Sequence, residues 1–305
     1  MTLQQVRSEM REVASSVYAW IQPDGGWCLN NAGLILDGEC AVLVDTAATE
    51  RRTRVLAEAV GALAPAGPDF LVNTHFHGDH TFGNSYFKPR ATIIAHENCA
   101  RDQIAAGPGL RGLWPDVEWG ETPVLGPDVT YRGDEAAVHS GGRRIALLHP
   151  GTAHTTGDTV VWLPDEGVLF TGDVVWSGST PFCLMGSVTG SLEAIGRLRA
   201  LGAETVVPGH GPVGGAELLD ETAAYLNWLL EVAESGLRAG RSALETARTT
   251  ELGAWAAFLD AERIVGNLHR AYAELAGAVP GAPIDVATAF GEMTQFHGGL
   301  PVCHA

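Results

Sequence analysis

The run Asn73-Thr-His-Phe-His-Gly-Asp-His80 gathers His75, His77, Asp79 and His80 in one short stretch. These are ligand types for borderline metals: neutral imidazoles bind zinc well, and a carboxylate adds compensating charge and a hard oxygen. The apolar run Phe70 to Val72 just before it reads as a strand, and a loop leaving a strand end can aim several side chains at one point. His75 and His77 would take one metal, Asp79 and His80 another. A single histidine cluster can serve packing or capping, so the rest of the chain decides. His154 in PGTAHTTGD, Asp173 in LFTGD and His210 in VVPGHGP each follow a predicted strand and sit among glycines that permit close turns. Packing does not explain so many ligand types recurring at strand ends.

The chemistry follows from such a ligand set. Two cations a few ångströms apart lower the pKa of a shared water from ~15.7 toward roughly 7, and one of them can polarise a carbonyl oxygen. Attack on an ester, thioester, lactone or amide then needs no side-chain nucleophile, and Asp79 can orient the water or pass a proton. The expected cofactors are two zinc ions, with manganese or iron as alternatives.

Positioning these loops requires alternating strands and helices. Strands are predicted at Gly33 to Leu36, Ala41 to Val44, Phe70 to Val72, Ile93 to Ala95, Ile145 to Leu148, Thr159 to Leu163, Val168 to Phe170 and Thr205 to Val207. Arg51 to Leu63 carries apolar residues at helical spacing, with Thr49 as N-cap. This is the pattern of a layered α/β domain. After Gly214 the character changes: Ala216 to Gly236, Ser242 to Thr249, Leu252 to Ala278 and Ile284 to Phe296 read as helices, and the tail Gly298 to Ala305 as irregular and frayed. The chain is therefore divided into a catalytic domain over 1–214 and a helical C-terminal extension over 215–305 that packs on it.

Bulk properties remove several function classes. The chain has 305 residues, 46% hydrophobic and 18% charged, which is ordinary for a globular protein. A net charge of -17 opposes binding to nucleic acid, whose affinity comes mainly from phosphate neutralisation. The start MTLQQVRSEMREV lacks the apolar core of a signal peptide, and no apolar run approaches the roughly 20 residues of a membrane span. A cytoplasmic enzyme with no membrane contact is expected. Five cysteines, widely spaced and without a CxxC pair, read as buried free thiols. His96 and His149 are candidates for supporting the ligands from behind, beside a plain structural role.

The ordered series HxHxDH, then His, Asp and His, resembles the metallo-β-lactamase superfamily over residues from about 15 to 213. The resemblance implies an αββα sandwich with the metals at one edge of its two sheets. It also implies that His75, His77 and His154 form one site and Asp79, His80 and His210 the other, with Asp173 bridging both. VDTAAT resembles the family's strand and turn beneath the site, which makes Asp45 a structural residue.

A narrower resemblance lies in NTHFHGDHTFGN, in GLWPDVEWGE, in GDVVWSGSTPFCLMGSVTG, in LDAERIVGNLHRA and in GGLPVC. Together these are similar to the second-ring cyclase and thioesterase of aromatic, type II polyketide biosynthesis, of the actinorhodin-pathway type. That family implies second-ring aldol closure and hydrolytic release from an acyl carrier protein, its partner. Trp114, Trp119, Trp176, Phe182 and Met185 flank the ligand loops and would wall an aromatic substrate. Acyl carrier proteins are acidic, so docking would need Arg111, Arg132, Arg143 and Arg144 to gather on one face. A glyoxalase-II-like hydrolase of another thioester, ester or lactone is the alternative.

Overall fold

The structure, a computed structural model, describes residues 8–305. Alternation along each strand sends successive side chains to opposite faces, so the apolar residues sort into layers. The first sheet runs β1 (Glu9–Ala14), β2 (Val17–Ile21), β3 (Ala32–Asp37), β4 (Cys40–Val44), β5 (Phe70–Val72), β6 (Thr92–His96) and β7 (Val129–Tyr131) in spatial order. It is antiparallel as far as β4 and parallel beyond. The second contains β8 (Glu135–Ser140), β9 (Arg143–Leu148), β10 (Val160–Leu163), β11 (Val168–Trp176) and β12 (Thr205–His210), ordered β12-β11-β10-β9-β8.

The helices are α1 (Glu50–Leu63), α2 (Gly78–Thr81), α3 (Glu97–Ala106), α4 (Val188–Arg199), α5 (Glu217–Arg238), α6 (Ala243–Thr249), α7 (Arg263–Leu275) and α8 (Val286–His297). Val42 and Val44 of β4 meet Val161, Leu163, Val168 and Phe170 of the second sheet in a core between the sheets. Leu43 and Leu71 point the other way, onto Leu56 and Val60 of α1. Val160 and Leu169 face outward from the second sheet into a cluster with Ile195 of α4, Leu226 of α5 and Leu268 of α7. The result is the αββα sandwich expected, with the C-terminal helices sharing the outer cluster of the second sheet rather than forming a core of their own.

Thr49 caps α1 by accepting from the Arg52 amide, as the sequence predicts, and Ser242 forms a reciprocal capping box with Glu245 at α6. The helix expected over Leu252 to Ala278 is instead broken. A short turn at Gly253–Ala257 precedes an extended segment in which Leu259 pairs with Gly178 and Thr180, and Asp260 takes a left-handed φ of 57°. Pairing with the loop after β11 outcompetes helical propensity there, so α7 begins only at Arg263. The tail after α8 is irregular but not frayed: Trp114 Nε1 donates to the Pro301 carbonyl at 2.7 Å and Arg52 Nη2 to the His304 carbonyl at 2.5 Å. All five cysteines are free, with Cys40 and Cys303 only partly buried.

Candidate metal centre

The candidate ligands come from the loop and short helix after β5, the loop after β9, the interior of β11 and the end of β12. Between β5 and α2, the loop is pinned by paired side-chain amides: Asn73 Nδ2 donates to Asn84 Oδ1 at 3.1 Å and Asn84 Nδ2 to Asn73 Oδ1 at 2.8 Å. His154 precedes a turn that Asp158 closes by accepting from the Thr155 amide and hydroxyl. Asp173 lies in β11 beside a register shift at Gly172, whose φ of +49° turns the strand. His210 ends β12, and Gly209 before it lies so close to Asp173 that a Cβ there would fall 1.9 Å from Oδ1. Only glycine permits that approach.

These elements bring His75, His77, His154 and Asp173 into one group and Asp79, His80 and His210 into another, with ligand atoms within 4.8 Å of one another in each. Asp173 reaches both: its carboxylate lies 3.4 Å from His154 Nε2, 3.2 Å from His80 Nε2 and 3.5 Å from His210 Nε2.

Hydrogen bonds behind the imidazoles fix which nitrogen faces inward. His80 Nδ1 donates to Asp45 Oδ2 at 2.8 Å, His154 Nδ1 to the Phe182 carbonyl at 2.5 Å, and His210 Nδ1 to the Gly26 carbonyl at 3.2 Å. Thr74 Oγ1 donates to Asp45 Oδ2 at 2.6 Å, so it accepts from His75 Nδ1 at 3.0 Å. With Nδ1 committed, the lone pairs of Nε2 converge. His77 turns the other nitrogen inward, its Nδ1 lying 3.1 Å from His75 Nε2 and 2.8 Å from His154 Nε2.

This arrangement fits metal ions. Three imidazole nitrogens converge where no proton donor is needed to orient them, and buried His80 Nε2 and Asp173 Oδ1 have no hydrogen-bond partner. Such orphaned groups are costly unless something binds them. Burial lowers the pKa of His75, His77 and His154, that of His77 to about 3, which keeps their lone pairs free. Burial also opposes a charge on His80, but the carboxylates of Asp173, Asp45 and Asp79 overcome it and raise its pKa well above the usual value. The field that draws a proton to His80 draws a metal cation equally. Asp79 stays ionised: burial opposes this, while His80 and His210 hold its pKa at about 2.

The model of the metallo-beta-lactamase superfamily matches residues 25–210, spanning every ligand named above. The chain belongs to the metallo-β-lactamase superfamily. It is similar to the type 2 metallo-beta-lactamase of Bacteroides fragilis, with 27% identity over 229 residues, 72% of this chain and 86% of that protein. A hydroxyacylglutathione hydrolase of Methylococcus capsulatus is 33% identical over 138 residues, 45% of each chain. The human acyl-coenzyme A thioesterase MBLAC2 is 29% identical over 172 residues, 50% of this chain and 59% of that one. Among solved structures, a metallo-beta-lactamase from Pontibacter korlensis shares the fold, with a TM-score of 0.59 and 24% identity over 72% of this chain and 99% of that one.

His77, Asp79, His154, Asp173 and His210 of this metallo-β-lactamase-fold chain form one end of a cavity of about 530 Å³ including its mouth. Trp176, Phe182 and Met185 line it as the sequence suggests. Trp114 and Trp119 do not. Trp114 is buried behind the wall, its ring 5.4 Å from Trp27 and its Nε1 held by Pro301, while Trp119 donates to the Trp114 carbonyl and packs edge-on against Phe82. Buried and absent from the lining, they support the wall from behind. Trp27, Phe290 and Arg263 line the cavity instead. None carries a local signal that separates a wall from a core.

His96 and His149 stack on each other at 4.0 Å. His149 Nδ1 meets the Asp158 carbonyl and His96 caps α3, so their hydrogen bonds go to backbone groups and not to the ligands. Asp45 is the support that its structural label understates: it holds His80 directly and His75 through Thr74. The left-handed φ of 59° at Asp45 bends the chain leaving β4 under the site.

Proposed function

We propose that the protein is a dinuclear metal-dependent thioesterase that also closes the second ring of an aromatic polyketide chain and releases it by hydrolysis. The observation that supports this most is where the ligands open: onto a cavity whose other walls include the aromatic rings of Trp27, Trp176, Phe182 and Phe290 beside aliphatic side chains such as Leu110 and Leu184. Flat aromatic walls suit a planar acyl chain and exclude water that would compete with ring closure. His75, His77 and His154 would hold one cation, Asp79, His80 and His210 the other, and Asp173 would contact both.

Zinc-type cations supply Lewis acidity to a carbonyl oxygen and water of lowered pKa at such a site. The protein's own part is positioning. Asp79, ionised and facing the cavity, can accept a hydrogen bond from a water and orient it. Trp176 Nε1 donates to the Asp173 carbonyl at 2.7 Å and its ring stacks on His210 at 4.5 Å, so one side chain steadies two ligands and faces the acyl chain.

In this reading the acyl chain, rather than an acyl carrier protein, dominates recognition. Arg132, Arg143 and Arg144 are paired with Glu97, Glu166 and Glu135, and Arg111 is engaged by Thr122 and lies over Phe82. A hydrolase of another thioester is the second reading, favoured by the likeness to hydroxyacylglutathione hydrolase and acyl-coenzyme A thioesterase.

Product analysis on carrier-bound and small-thiol polyketide thioesters tests the proposal. His77→Ala should abolish hydrolysis and ring closure together, whereas Trp176→Ala should change their ratio by altering how the chain is held. Wild-type ring closure by metal-free protein would show that cyclisation belongs to the cavity walls alone. Hydrolysis of simple thioesters without any ring closure would favour the second reading.

A further inference from the structure

Arg263 is wholly buried and lines the same cavity as the ligands. Its guanidinium carbon lies 4.1 Å from the Trp27 ring and 4.4 Å from the Trp176 ring, and both rings line that cavity as well. Of its N–H groups, Nη1 donates to the Thr180 carbonyl at 3.0 Å. Nη2 is 2.8 Å from Asp260 Oδ2, but neither atom has a hydrogen bond, and Nε has no partner at all.

Several costs meet at this residue. A buried donor without an acceptor loses its hydration for nothing. A cation in the first turn of α7 also opposes the helix dipole, which favours negative charge there. Arg270, one helical stretch further on and equally buried, shows what a structural arginine looks like here. Its Nε and Nη2 both donate to the Leu184 carbonyl, at 3.0 and 2.8 Å, and it is not a lining residue of the cavity. Arg270 Nη1 is unpartnered as well, but only Arg263 combines unpartnered Nε and Nη2 groups with a place on the cavity wall.

We infer that Arg263 is a positioning and specificity residue that donates to a ketone or enolate oxygen on the acyl chain of the substrate. Resting on the thioesterase reading, this names what the site recognises beyond the scissile group. Asp260 beside the guanidinium leaves the pair with little net charge, which suits a carbonyl or enolate oxygen over a free carboxylate. The two indole faces hold the guanidinium plane in place, so its free N–H groups point in a fixed direction. Trp176 adjoins both Arg263 and the candidate ligand His210.

The test uses metal-loaded full-length protein and two pairs of N-acetylcysteamine thioesters, acetoacetyl with butyryl and levulinoyl with valeryl, each pair differing by one ketone oxygen. Wild type should prefer a ketone-bearing member, and Arg263→Met should lower that preference in kcat/KM by about 10- to 100-fold, the range of a charge-assisted hydrogen bond. Arg263→Lys, which keeps the cation but not the fork, should lose less, and Arg270→Met should leave the preference as in wild type. Metal content, measured alongside, should not change in any of the three.

If no thioester is hydrolysed, the thioesterase reading fails on its own. The inference is then read by titrating levulinate and valerate against tryptophan fluorescence, with levulinate favoured by wild type and not by Arg263→Met. Equal losses on ketone and plain substrates, or no loss with either variant of Arg263, would overturn it.

Discussion

His80 in α2 and His96 at the end of β6 are both buried imidazoles, and their environments drive them in opposite directions. Around His80 stand Asp173, Asp45 and Asp79, and despite burial its pKa is raised. Around His96, burial and the stacked ring of His149 push the pKa down to about 4. The difference teaches that burying histidines does not make a metal centre. Burial lowers the pKa of the candidate ligands His75, His77 and His154 as it does that of His96, and what sets the candidate centre apart is that carboxylates and imidazole nitrogens converge there.

Removing the carboxylate common to both ligand groups should break that contrast most severely. Asp173→Ala should drop metal content from about two ions per chain to below one, since a bridging carboxylate neutralises charge between cations. Elemental analysis reads this directly, and retention of both metals would show that the bridge is misplaced.

A smaller effect is expected from Asp45→Asn, which keeps the shape but removes the charge behind His80 and, through Thr74, behind His75. Affinity for metal should fall about 10- to 100-fold. Competition with a chromogenic chelator measures it, and wild-type affinity would mean that orientation by a neutral group suffices.

The smallest effect belongs to His96→Asn, which should leave metal content unchanged. Its consequence is in acid stability. The folded state holds His96 at a lowered pKa, so between the ordinary histidine value and about 4 the unfolded chain binds the extra proton. Stability is therefore complete above the ordinary value and is lost as pH falls toward about 4. Thermal melts of metal-free protein should show a smaller drop between neutral and acid pH for His96→Asn than for wild type. An identical drop would remove His96 from the acid response.

The ligands were legible in the sequence because their chemistry is carried by residue type and their placement by glycine-flanked strand ends, as with His75 to His80, His154 and His210. The sandwich was legible where apolar runs were short and dense, as in β4 and β5. β1, with its sequence EMREVA, reads as polar because it is an edge strand with little burial, and nothing in its pattern marks a strand. Leu252 to Ala278 reads as one helix because its break depends on pairing between Leu259 and the distant Gly178 and Thr180. The cavity wall was least legible. Trp114, Trp119 and Trp176 are the same residue type in neighbouring motifs, each with its indole N–H on a backbone carbonyl, and only their place in the folded chain separates two supports from a lining residue. Arg263 stood in a recognisable stretch, but burial beside Trp27 and Trp176 is a property of the folded chain.

The central claim, that two cations are held by the two ligand groups and drive hydrolysis, is most directly tested by elemental analysis of protein made without added metal, paired with thioester turnover before and after chelation. The account predicts about two metal ions per chain, zinc foremost with manganese or iron as substitutes, and turnover that disappears on chelation and returns with metal. A reproducible metal content near zero in protein that still turns over thioester would contradict it.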